Sequence, residues 1–171
     1  MIPLIGELLT SGSPGQMVAG VLLLGGGAVF AVCAVALSLI DLEEHRLPNR
    51  IVYPWAGITA ILLVLITFLL GDGPGLGRAL ASGLLWGLGF LLIKLIHPPS
   101  LGMGDVKLVV VLGLYAGFLG WETLAAAVVL SFLLGGLTSV ALLVTGRAQR
   151  NTRVPFGPFL ILGTALALIF S

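Results

Sequence analysis

Four acidic residues stand out by position: Asp41, Glu43, Glu44 and Asp105. Asp41 closes an uncharged run that begins at Met17, and Asp105 follows Gly102-Met103-Gly104 and opens another apolar run. An ionisable group costs about 3 kcal/mol at the centre of a bilayer and less near its surface, so such residues are default functional candidates. Two carboxylates brought together where water is scarce cannot easily both ionise, and they share a proton. One oxygen of such a pair can activate water while the other protonates a leaving amine, which is the chemistry of aspartic peptide hydrolysis. Taken singly, each has a simpler role: Asp41 as a solvated residue at a helix end, Asp105 as a helix N-cap. On residue types alone, Glu43 and Glu44 stay open as members of the pair.

Rival constellations fit less well. The only histidines are His45 and His97, so the His-Glu-x-x-His zinc motif is absent. Asp41, Glu44 and His45 would share a helix face and could meet His97 around a metal, but the aspartate pair explains more; no metal or other cofactor is expected. Neither a Gly-x-Ser-x-Gly elbow nor a phosphate-cradling glycine loop occurs. The single cysteine, Cys33, lies inside an apolar run and allows neither an intramolecular disulfide nor a cysteine zinc cluster.

These acids need elements to position them, and composition says what kind. The 171 residues are 58% apolar before 25 glycines are counted, against roughly 45–50% with glycine included in soluble domains. Charged residues make up 9%, where about 25% is usual. A water-soluble enzyme, a disordered chain and a nucleic-acid binder are poor readings of such a chain. An all-α polytopic membrane protein is expected, one membrane-embedded domain over 1–171 with about six spans. The apolar runs place them at 17–40, 51–70, 79–97, 106–120, 123–145 and 154–170. Uninterrupted runs of this length satisfy their backbone in lipid only as helices. Residues 1–16 read as a short polar, Pro/Gly-rich segment without the basic start of a signal peptide, so the first run is an uncleaved span.

Orientation follows from the basic residues. Arg46, Arg50, Lys94, Lys107, Arg147, Arg150 and Arg153 fall on one side and Arg78 alone on the other. The loops 41–50, 98–105 and 146–153 are therefore expected in the cytoplasm, with both termini outside it. This count ignores the acids, yet it puts Asp41 and Asp105 at the same membrane surface. Gly83-x-x-x-Gly87 and Gly113-x-x-x-Gly117 suit close helix packing. No internal repeat is visible, which argues against a transporter built from two related halves.

The sequence resembles the type IV prepilin peptidases, membrane aspartic proteases of the Gly-x-Gly-Asp group. The resemblance rests on Asp41 followed after six residues by Pro48-Asn49, on Gly102-x-Gly104-Asp105-x-Lys107, and on Val154-Pro155-Phe156-Gly157-Pro158, in that order along a six-span chain. It implies that Asp41 and Asp105 are the catalytic pair. It further implies that the enzyme cuts a short basic leader from the cytoplasmic end of a prepilin or pseudopilin helix, in the cell membrane. Pro48, Asn49, Gly102, Gly104, Lys107, Pro155 and Gly157 are carried over as supporting motif residues. Longer family members carry a Cys-x-x-Cys zinc insert between the first two spans and methylate the new N-terminus. Here that loop is about ten residues with no cysteine, so methyl transfer is not expected. Presenilin-type relatives have Pro-Ala-Leu where this chain has Pro-Phe-Gly.

Several roles stay open. Lys107 either holds the Asp105 carboxylate ionised or anchors in lipid headgroups. Glu43 and Glu44 suit contact with a basic leader, and the basic loop around Arg150 suits anionic membrane lipid. Competing functions are a small ion- or proton-coupled transporter and a non-catalytic partner in pilus or secretion assembly.

Overall fold

In the computed structural model, residues 1–44, 46–97, 101–145 and 155–171 are described. Among them every regular element is a helix: α1 (Ile2–Thr10), α2 (Pro14–Glu44), α3 (Asn49–Leu70), α4 (Gly73–Ile96), α5 (Met103–Leu119), α6 (Trp121–Val144) and α7 (Gly157–Phe170). Four of these, α2, α3, α4 and α6, are long and apolar enough to cross a membrane, while α5 and α7 are shorter. The outer surface is apolar too, with Phe68 87% and Leu84 62% exposed. Exposure of this kind suits lipid and not water. The protein is an all-α polytopic membrane protein.

Helix α5 runs through the middle of the bundle. Nearly every residue from Asp105 to Phe118 is buried, because α3, α4, α6 and α7 all pack around it. Against α4 it packs through glycine, as the sequence led us to expect. A Cβ on Gly113 would lie 2.8 Å from the Gly83 Cα, and one on Gly87 would lie 2.5 Å from Val110 Cγ2. Helices that approach this closely gain backbone van der Waals contact, the main source of association in lipid. A polar knot ties α5 to two more helices: the Tyr115 hydroxyl accepts from Trp55 Nε1 (3.3 Å) and Thr59 Oγ1 (3.1 Å) and donates to the Gly26 carbonyl (3.1 Å).

The turns at the end away from Asp105 are short, and the helix ends there find partners. Gly71 ends α3 at φ +68°, a left-handed conformation that glycine adopts without strain. The next residue, Asp72, accepts from Gly75 N at 3.0 Å and starts α4. Arg78 donates to the Gly117 and Phe118 carbonyls (2.7 and 2.6 Å), so its charge meets the unsatisfied C-terminal end of α5.

Several sequence-based boundaries move. The segment 1–16 contains α1, which seats Leu8 and Leu9 on α2 against Gly20. Its nine residues are too few for a periodicity to declare itself. The first span extends past residue 40 to Glu44, since no breaker precedes Pro48, and Asp41 therefore lies inside the helix instead of in a loop. The loop expected at 71–78 shrinks to Gly71–Asp72 because Asp72 caps α4 so early. Asp105 is not an N-cap: α5 begins at Met103, and Gly102 occupies the cap. Expectations for His45, Pro98, Pro99, Arg147, Arg150, Arg153 and Val154 fall outside the described residues.

Candidate active site

Asp41 sits in the last turn of α2 and is 5% exposed. Its Oδ2 accepts a hydrogen bond from Gly157 N, the first residue of α7, at 3.1 Å. An uncapped helix start offers free N–H groups and a partial positive charge, so it receives a carboxylate well. Gly157 has to be glycine at this spot, since a Cβ would stand 2.6 Å from Asp41 Oδ2. Half-buried Pro155 and then Phe156 lead the chain into α7, and the Phe156 ring packs where a Cβ on Gly135 would intrude at 2.6 Å.

Asp105 occupies the third position of α5 and is 8% exposed. Its Oδ2 accepts from Gly102 N at 3.1 Å, which is the reciprocal half of a capping box with glycine at the cap. The two glycines before it have separate reasons. A Cβ on Gly102 would crowd Asp105 Oδ2 at 3.1 Å, and one on Gly104 would strike Leu47 Cβ at 2.7 Å. The negative charge of Asp41 and the positive charge of Lys94 both act on Asp105. Lys94, in the last turn of α4, also donates to the Leu101 carbonyl at 2.9 Å and so ties down the segment before Gly102.

Asp41 and Asp105 line one cavity of about 250 Å³ at this end of the bundle, together with Leu47, Asn49, Gly104 and Lys107. Helices distant in sequence thus deliver both carboxylates to one space. Pro48 caps α3, and its carbonyl accepts from Ile51 N (3.1 Å), which sets Asn49 at the helix start. The Asn49 Oδ1 accepts from Lys107 Nζ at 2.9 Å, and that ammonium lies 4.8 Å from the centre of the Tyr53 ring. Lys107 is therefore held by Asn49 and Tyr53. Glu43 and Glu44 are exposed beyond Asp41 and do not line the cavity. Among the described residues no three His, Cys, Asp or Glu side chains come together as a metal site.

Three cavity residues, Arg46, Leu47 and Met103, escaped the reading of the sequence as site residues. Leu47 fills the space against Gly104 and Gly157, and Arg46 and Met103 add to the cavity wall. The signal for Leu47 was an isolated apolar residue between Arg46 and Pro48 in an otherwise polar stretch.

Comparison with known proteins gives the family. Residues 28–140 match the type IV leader peptidase family. A prepilin leader peptidase/N-methyltransferase of Pseudomonas aeruginosa is 34% identical over 139 residues, 80% of this chain and 46% of its own length. One from Burkholderia pseudomallei is 33% identical over 165 residues, covering 91% of this chain and 52% of the relative. The chain spans about half the length of the curated relatives it matches. No solved structure matches. With its aspartates on two helices that face one cavity, the chain belongs to the type IV leader peptidase family.

Proposed function

We propose that this protein is a membrane aspartic endopeptidase that removes the leader of prepilin or pseudopilin precursors. The observation that carries the reading is the convergence of Asp41 and Asp105, both buried, on one cavity at the end of the bundle. Family membership supports it, since the matched relatives are named prepilin leader peptidases.

In this mechanism the pair holds one proton between its four oxygens. The ionised carboxylate takes a proton from water, and the resulting hydroxide attacks the scissile carbonyl carbon. The protonated carboxyl hydrogen-bonds to the carbonyl oxygen and then supplies the proton that releases the amine. The two acids act as a unit, so acid and base belong to the pair and not to a residue. Backbone N–H donors from Gly157 and Gly102 hold one oxygen of each carboxylate in place.

Arg46, Arg50, Lys94 and Lys107 lie at the same end as the aspartates, and Arg78 at the other. By the positive-inside rule this end faces the cytoplasm, where a basic leader is retained. Peptidase action without methyl transfer is part of the proposal. Co-expression with a pilin-like precursor tests it by gel shift. Processing by wild type and not by Asp41→Asn or Asp105→Asn is expected; processing by either variant sinks the two-aspartate mechanism. Absence of labelled methyl groups on the mature product checks the second part.

A further inference from the structure

A trough of about 590 Å³ runs along the lipid-facing side between α2 and α7. It exists because Gly27, Ala31, Ala34 and Ser38, spaced four, three and four residues apart, leave one face of α2 hollow opposite Ile161 and Ala165. From Gly27 to Leu39 it covers roughly 18 Å of helix at about 1.5 Å per residue. Its lining is almost wholly apolar, which fits a lipid-embedded segment and not a soluble peptide.

What decides the occupant is where the trough leads. Leu39 and Pro158 line its end, two residues from Asp41 and one from Gly157, whose N–H holds the Asp41 carboxylate. Beyond Asp41 the same helix continues into exposed Glu43 and Glu44. The surface therefore reads, in order, apolar trough, carboxylate pair, acidic tip. A second trough, of about 310 Å³ between α4 and α6, is lined by no residue adjacent in sequence to either aspartate.

We infer that the α2/α7 trough seats a single transmembrane helix of the substrate, packed against the small residues of α2. Its cytoplasmic end then lies at Asp41 and the basic residues that precede it lie at Glu43 and Glu44. The inference rests on the peptidase reading above and adds the surface that selects the substrate. Small residues let a partner helix approach its backbone closely, and the seated helix brings the bond before its first turn to the carboxylates without a search in three dimensions.

Two measurements test it. Ala31 is exposed on the trough wall, so Ala31→Phe fills the trough without touching the core. It is expected to raise KM for a membrane-inserted precursor about tenfold or more while kcat stays within about twofold. Val64→Phe, exposed on α3, serves as the control. A KM for Ala31→Phe equal to that of the control overturns the trough. Wild type that fails to cleave any of a panel of precursors overturns the peptidase reading itself, which is a different result. Independently, Ser38→Cys in a Cys33→Ser, Asp105→Asn background is oxidised with precursors carrying single cysteines along the apolar helix. Cross-links recurring every three to four precursor positions are expected. Cross-links to Val128→Cys in the α4/α6 trough and none to Ser38→Cys overturn the inference.

Discussion

The Lys107 ammonium donates to Asn49 Oδ1 at 2.9 Å, joining residues 58 positions apart. This contact links the two motifs directly: the asparagine after Pro48 holds the lysine two residues beyond Asp105. It explains why the Pro-Asn pair and the Gly-x-Gly-Asp-x-Lys string belong to one site. Because the pair acts through a single contact, Asn49→Ala and Lys107→Met are expected to be non-additive. A double variant no worse in kcat/KM than the poorer single variant is the expected result of a double-mutant cycle. Fully additive losses would show that the contact carries nothing.

Asp41→Asn and Asp105→Asn should each lower kcat by about a hundredfold to ten-thousandfold, the range for a positioned acid or base. Folding should not suffer, because an amide of the same shape removes a buried charge that its neighbour opposes. Equal or higher melting temperatures in detergent, alongside lost cleavage, check both halves.

Gly157→Ala would force a methyl group to within 2.6 Å of Asp41 Oδ2. The loss expected is in kcat, with the protein still folded, since the clash lies at the carboxylate. Gly136→Ala, where nothing stands within 4 Å, should cleave like wild type. Equal activity in the two variants would remove the Gly157 N–H from the mechanism.

Gly113→Ala tests the α4/α5 contact, where the new Cβ would meet Gly83 Cα at 2.8 Å. Overpacking of this kind costs about 1–3 kcal/mol. A lowered melting temperature is expected, against no change for Gly89→Ala, which opens on free space.

Tyr115→Phe removes the hydroxyl that serves Trp55, Thr59 and the Gly26 carbonyl. Leaving buried polar groups unpaired costs about 1–3 kcal/mol. Thermal unfolding should show that loss, while cleavage measured well below the transition stays near wild type because the knot lies away from the aspartates.

Asp41 shows how far local sequence carries and where it stops. Its place at the end of a charge-free run is visible in the order of residues, since hydropathy is a property of residue types summed along the chain. That α2 continues through it to Glu44, and that its carboxylate meets the start of α7, is not visible. The partner is 116 positions away, and its N–H is free only because it begins a helix. Leu47 makes the same point: its type is unremarked until Gly104 and Gly157 are packed on it.

Membrane class, helical content and the approximate spans follow from the sequence by itself, as does the placing of Asp41 and Asp105 beside apolar runs. These depend on short-range quantities: the cost of unpaired backbone in lipid, the length of apolar runs, and the spacing of glycine, proline and acid. The cavity, the Asn49–Lys107 contact and the trough between α2 and α7 were decided by the tertiary structure alone. Each is a relation between surfaces distant in the chain, set by which small residues let helices approach, and no residue carries that information until its neighbours across the bundle are in place.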